Sequence, residues 1–433
     1  MESFAGKEFD VSYLIIALLG ITVTQPNILD QTDEEWTAPG YRVIEEVSIN
    51  PLDYGEPVSW GENCNGPTAS IGCQGFFIPT ENGEKWRIIL LLKDKLVVLQ
   101  EDEEPRDISL TCSPLGIIYS RNGRYALVLG EITSGSRSAI YARKTEYINI
   151  DTGEVRQFEP MQNSGWTGMQ FVNDDGSIYR WDYTAVNLLE YYDPDLNLVF
   201  SRETNIAWGS RWGHASGGSV IVFLEAGNVL RVYSNTGELL WERELDVNLP
   251  SNPLVSANGL VVLLATSYGL ECYEGSTGEL LWEEYETGTL APVPSVSGRA
   301  WAVLLRGRGL VFGEDVASRE SIIDIRYPAR SWSHGVPAAI ATTNRAVLVI
   351  CGSLPPEYQN GNLSKLIYVN DNGVIVWVST LFSVASSPLN INRSDNVEVE
   401  LRLGSSIQAD GKRFIYSDYD QILISRVEGG EKE

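Results

Sequence analysis

The chain has 433 residues, with 58 acidic against 32 basic side chains, a formal net charge of −26, 43% apolar residues and 12 Trp. That balance repels nucleic acid and anionic membrane surfaces, and the apolar and aromatic content excludes a disordered chain. At roughly 150 residues per domain the length suggests about three domains, unless an internal repeat overrides that prior.

In chain order, residues 11–23 (VSYLIIALLGITV) form an uncharged run as long as the apolar part of a signal peptide and too short to span a bilayer. Membrane contact is expected only through this run, if anywhere. Glu2, Glu8 and Asp10 ahead of it are atypical of a signal, so a buried element of the fold is the alternative. Residues 1–30 are therefore set apart as a signal, anchor or extension, 31–427 as one domain, and 428–433 as an acidic tail.

Residues 41–49 (YRVIEEVSI) predict a strand. Cys64 and Cys73 flank a stretch rich in turn formers that would let their sulfurs meet, and a disulfide there would imply an oxidising compartment. Cys112 precedes a strand, while Cys272 and Cys351 sit in apolar runs and read as buried thiols. Asn362 and Asn392 match the short glycosylation pattern, which also arises by chance.

From residue 96 onward one phrase recurs: an apolar strand, a turn, a second apolar strand closing on an aromatic. Residues 230–241 (LRVYSNTGELLW) and 270–282 (LECYEGSTGELLW) are nearly identical. Gly237 and Gly278 lie 41 residues apart, as do Trp241 and Trp282. Residues 147–158 and 367–377 are further copies, the latter containing Gly373 and Trp377, and residues 96–110, 191–200 and 310–325 are degenerate ones. The Thr-Gly or Asn-Gly pair supplies the positive φ of a tight hairpin.

Further strand pairs precede each phrase, giving four strands per repeat of about 40–50 residues. Such a sheet is apolar on both faces and needs a neighbour on each side. The expected fold is all-β, a β-propeller of about eight four-stranded blades. Seven repeats start near residues 75, 115, 165, 207, 251, 291 and 336. Three C-terminal strands and residues 41–49 would make an eighth blade that closes the ring with both chain ends; seven blades with a decorated terminus is the alternative.

On residues 230–286 the phrase resembles the repeat of the pyrroloquinoline-quinone (PQQ)-type propeller family, with Gly237, Trp241, Gly278 and Trp282 matching and Gly373 and Trp377 matching more loosely. The resemblance implies that these tryptophans dock between blades. Residues 120–129 (SRNGRYALVL) look instead like a WD-repeat or TolB-type strand phrase. The PQQ-type family contains quinone-dependent dehydrogenases and non-enzymatic scaffolds. This chain lacks the adjacent cysteine pair of the dehydrogenases, and their calcium-binding acid and catalytic Asp have no match, so neither PQQ nor calcium is expected.

Only two histidines exist, in the similar contexts Trp212-Gly213-His214 and Trp332-Ser333-His334, and Trp166 precedes an earlier repeat in a matching place. Ahead of an innermost strand these residues would ring the channel mouth as a ligand-binding rim, with packing between blades as the alternative. No metal-ligand spacing or nucleophile phrase accompanies them. The expected function is a monomeric, non-enzymatic scaffold that binds a protein or polymer partner outside the cytoplasm. A channel enzyme, either a quinone-dependent dehydrogenase or a glycan hydrolase, is the rival, and a cytoplasmic WD-type scaffold is a third reading.

Overall fold

The computed structural model describes residues 35–56, 58–59, 68–131, 143–158, 168–182, 188–204, 211–225, 228–245, 252–266 and 268–285, then the strands between 293 and 430 with short adjoining stretches. Among these residues the strands form eight sheets, each containing a four-stranded antiparallel unit. Blade 2 runs Ser113–Tyr119, Tyr125–Glu131, Arg143–Asn149 and Glu154–Phe158, and blade 3 runs Gly168–Val172, Ile178–Asp182, Leu188–Tyr192 and Leu198–Glu203. Blade 4 runs Trp212–His214, Val220–Glu225, Val229–Ser234 and Leu239–Glu244, and blade 5 runs Leu254–Val255, Val261–Ala265, Gly269–Glu274 and Leu280–Tyr285.

Blade 1 starts with Thr68–Thr80, blade 6 with Val293–Pro294, blade 7 with Val336–Ile340 and blade 8 with Ser406–Ile407, and these first strands lie beside one another in consecutive pairs from blade 2 to 3, 4 to 5, 6 to 7, 7 to 8 and 8 to 1. A ring of sheets with its first strands innermost is a β-propeller of eight blades. The second strand of blade 4 is buried along its length and apolar from Val220 to Leu224, because the sheet is covered on both faces.

Blade 8 closes the ring. Tyr41–Ile49 is its outer strand, paired to Gln421–Gly429, which pairs to Arg413–Asp418 and then Ser406–Ile407. The seam to blade 1 is packed by Ile415, Ile422 and Ile424 against Phe77, Ile88 and Leu90. Arg413 crosses it, reaching Glu46 on the N-terminal strand at 2.8 Å and Glu101 of blade 1 at 2.9 Å.

Blade 1 departs from the plan. Its inner strand, Thr68–Thr80, is 13 residues long, and it begins earlier than the repeat spacing suggests. The second strand covers it only from Gly72 onward. On its opposite, axis-facing edge Glu398–Gly404 runs parallel to Thr68–Gln74 and pairs in turn with Leu389–Asn392. A hairpin thus extends blade 1 inward, at the end of the ring where the chain enters the inner strands.

Candidate functional site

The antiparallel path gives the disc two unlike faces. The entry face carries the connections into each inner strand and between second and third strands. The turn face carries the first-to-second and third-to-fourth connections, and in blades 2 to 5 these are tight. First-to-second turns occupy Ser120–Gly123, Asn173–Gly176, Ala215–Gly218, Ser256–Gly259 and Gln408–Gly411, each closed by the glycine N–H donating to the first residue's carbonyl at 2.8–3.1 Å.

Neighbouring turns are tied together. The Asn122 N–H donates to Asp174 Oδ1 at 2.7 Å, and its side-chain amide to the Asp174 carbonyl at 2.9 Å. The Asp174 N–H donates to the Ser216 carbonyl at 2.6 Å, and the Gly217 N–H to the Ala257 carbonyl at 2.9 Å. Blades 2 to 5 are belted by these bonds around the channel mouth. Burial raises the Asp174 carboxyl above the ordinary range, opposed by its hydrogen bonds and by Arg121.

Trp212 and His214 lie within the blade 4 inner strand, and their rings sit on Phe171 of blade 3, with centroids at 4.0 and 5.0 Å. Gly213 between them faces the other way, toward blade 5. A Cβ there would stand 2.3 Å from the Pro253 carbonyl oxygen, so only glycine allows this backbone approach. His214 is the strand's last residue, next to the turn face. Its enclosure, and then the positive charge of Arg121, push its imidazole down to about 3, so it is neutral at pH 7.

Trp166 precedes the blade 3 inner strand, and Trp332 and His334 precede the blade 7 inner strand, Val336–Ile340; all three lie outside the described residues. Trp212 and His214 thus fall inside their strand rather than ahead of it.

Of the residues expected to dock blades, Trp241, Gly237, Gly278 and Trp377 lie at contacts between neighbouring blades, and Trp282 packs on apolar residues of its own blade 5. The Trp241 indole N–H donates to the Gly275 carbonyl of blade 5 at 2.8 Å, and its ring lies over Gly278, whose Cβ would come within 2.7 Å of it. Gly237 receives Phe200 of blade 3 in the same way. Trp282 is buried, and Trp377 is buried against Phe414 and Tyr416 of blade 8. Gly373 lies outside the described residues.

A companion latch escaped the reading from sequence: Arg202 and Arg243, each two residues beyond that aromatic, stack at 5.1 and 4.7 Å over Tyr233 and Tyr273 of the next blade. Their signal is the repeated aromatic-x-Arg at 200–202 and 241–243.

Cys73, Cys112 and Cys272 are buried, and burial pushes the Cys112 thiol up to about 12. Cys64 and the sequon residue Asn362 lie outside the described residues, while Asn392 ends the first strand of the added hairpin. Among the described residues no cluster of three or more His, Cys, Asp or Glu could hold a metal ion, and no helix is long and apolar enough to cross a membrane.

Residues 189–350 match the sequence profile of the family described as outer membrane protein assembly factor BamB. Among solved structures the chain is similar to BamB from Moraxella catarrhalis, at 11% identity over 89% of this chain and 100% of that one with a TM-score of 0.48. It is also similar to the C-terminal WD40 domain of Sif2, at 11% identity over 89% of this chain and 99% of that one with a TM-score of 0.49. No curated protein matches it in sequence. The match to the sequence profile runs from the third strand of blade 3 into blade 7.

Proposed function

We propose that the chain is a non-enzymatic docking scaffold whose entry face holds a protein or polymer partner in the cell envelope or outside the cell. The observation that carries this reading is the asymmetry of the two faces. In blades 2 to 5 the turn face is reduced to short turns bonded to one another, whereas among the described residues the chain beyond the blade plan gathers on the entry side: the extended start of Thr68–Thr80, the strand Val58–Ser59 beside it, and the hairpin Leu389–Asn392 with Glu398–Gly404. Elaboration of one side of a rigid scaffold is where binding function accumulates.

The hairpin lies on the axis side of blade 1, so it obstructs entry of a substrate from that side and offers a surface instead. Trp166, Trp332 and His334, which precede inner strands in the sequence, are the aromatic contacts of this proposal. The match to an assembly-factor family agrees with docking of a protein.

The test is capture from envelope extracts by the full chain, compared with the Trp166→Ala/Trp332→Ala double variant and with a chain whose residues 389–403 are replaced by a Gly-Ser linker. Loss of the same captured species in both altered chains, with thermal unfolding of the double variant unchanged, is the expected result. Equal capture by all three would remove the entry face from consideration.

A further inference from the structure

Blade 5, from Leu254 to Tyr285, holds Glu271, Glu274, Glu279, Glu283 and Glu284 and not one Lys or Arg. It also carries the most exposed aromatic side chains among the described residues, Tyr285 at 72% and Tyr268 at 59%. Both stand on the entry face, Tyr268 in the connection between the second and third strands and Tyr285 at the end of the fourth, opposite Gly269. A glycine has no side chain to cover its cross-strand neighbour, which leaves that flank of the Tyr285 ring bare.

Alternation along the strands puts Glu271, Tyr273, Glu283 and Tyr285 on one side of the sheet, the side turned to blade 4. Tyr273 packs in the core between blades 4 and 5 and donates its hydroxyl to Glu271, and Arg243 of blade 4 stacks on its ring at 4.7 Å. Glu283 stands directly across from Glu271, and the Tyr285 hydroxyl donates to it. Cys272 and Trp282 belong to the other side. Two carboxylates as direct cross-strand neighbours repel.

In blade 4 the same two places are held by Arg231 and Glu242, which pair at 2.9 Å, and Arg231 also reaches Glu225. The repeat therefore has a place for a guanidinium beside the outer-strand acid, and blade 5 keeps the acid while a second glutamate takes the place of the base. Among the described residues no ion pair reaches Glu271 or Glu283.

We infer that the entry-face rim of blade 5 is a docking site for an arginine side chain of a protein partner, received by Glu271 and Glu283 with its plane against Tyr285. The inference rests on the docking proposal for a protein on the entry face, and adds the chemistry that protein presents. A blade with five acids and no base, in a chain of net charge −26, attracts a basic segment and repels a nucleic acid or a second copy of itself. A guanidinium bonds carboxylates through a planar fork and stacks on an aromatic ring, whereas a lysine ammonium is a point charge without a plane.

The experiment titrates the full chain, by fluorescence anisotropy at low ionic strength, with a labelled Gly-Ser peptide bearing arginines and with the same peptide bearing lysines or neutral citrullines instead. The arginine peptide is expected to bind most tightly, citrulline at least about tenfold more weakly and lysine in between. Glu271→Arg gives blade 5 the pairing of blade 4, so it should weaken the arginine peptide by about tenfold or more and raise the thermal unfolding midpoint. Glu104→Arg makes the same charge change on an exposed turn-face loop of blade 1, and should weaken the peptide by less than about threefold. Tyr285→Ala should narrow the difference between arginine and lysine.

Equal weakening by Glu271→Arg and Glu104→Arg would reduce the effect to overall charge and overturn the assignment. Equal binding of the arginine and lysine peptides, no binding by the unaltered chain, or displacement by free L-arginine as readily as by unlabelled peptide would overturn it too. If Glu271→Arg does not fold, full affinity in both Glu283→Gln and Tyr285→Ala overturns it, and loss in both supports it. None of these variants alters Trp166, Trp332 or the hairpin, so failure here leaves the capture experiment standing, and failure of capture leaves this titration readable.

Discussion

Trp241 shows how much of the ring rests on single side chains. Its ring covers Gly278, which has φ +71° and no room for a methyl group, and its N–H satisfies the Gly275 carbonyl. Trp241→Phe keeps most of the apolar contact and orphans a buried carbonyl, so it should cost about 1–3 kcal/mol in chemical denaturation. Gly278→Ala must both adopt a left-handed backbone and displace the indole, so its cost should be at least as large, about 2 kcal/mol or more.

His214 makes a different prediction, set by linkage. Its native imidazole is held at about 3 against 6.5 for the free side chain, so below pH 6.5 the unfolded chain binds a proton that the native chain refuses. Stability is therefore lost as pH falls from 6.5 toward 3, with a slope of at most about 1.4 kcal/mol per pH unit, reduced because part of the ring faces solvent. His214→Phe should flatten that part of the profile relative to the unaltered chain. An unchanged difference between the two proteins from pH 7 to pH 4 would contradict this account.

At the scale of the element, two devices hold blade 3 to blade 4 and blade 4 to blade 5. The outer strand contributes an aromatic and an arginine, and the inner turn contributes a backbone bond to its neighbour. Arg202 stacks on Tyr233 and donates to the Gly237 carbonyl at 2.7 Å, and Arg243 stacks on Tyr273 one interface further along. Each arginine-to-methionine change should cost about 1–2 kcal/mol. Because the two latches serve different blade interfaces, the double variant should equal the sum of the singles within about 0.5 kcal/mol. A larger departure would mean that strain passes through blade 4.

These latches also explain what was legible in the sequence. Glycine and tryptophan at 41-residue spacing stand out because each is required by one contact, an indole over a missing Cβ, so the repeat and the pairing of blades could be read directly. The arginine latch was written just as regularly, but arginine on an outer strand looks like ordinary solvated charge until its neighbour is known. The register of His214 was not legible, since Trp-x-His reads alike inside a strand and ahead of one. The parallel pairing of Glu398–Gly404 with Thr68–Gln74 joins segments over 300 residues apart, and no local pattern announces it.

The whole molecule depends on closing the circle, and the closure joins the two ends of the chain. The outer strand of blade 8 comes from residues 41–49 and the other three from residues 406–429, so the ring cannot shut until the last strands exist. Arg413 sits where this seam meets blade 1, bonded to Glu46 and Glu101 and lying 5.8 Å from the Phe77 ring centre. Removing it leaves Glu101 without its cation and Glu46 with Arg426 alone, at 3.1 Å, so Arg413→Met should destabilise by about 1–3 kcal/mol, more than a surface ion pair would.

Deleting residues 1–49 removes the same glutamate but also bares the Gln421–Gly429 edge and the apolar side of the three remaining strands. The truncated chain should therefore unfold at lower temperature than Arg413→Met and self-associate through the open edge, as light scattering would detect. If instead it stayed monomeric with an unchanged transition, blade 8 would not be the clasp, and the other seven blades would have to close without it.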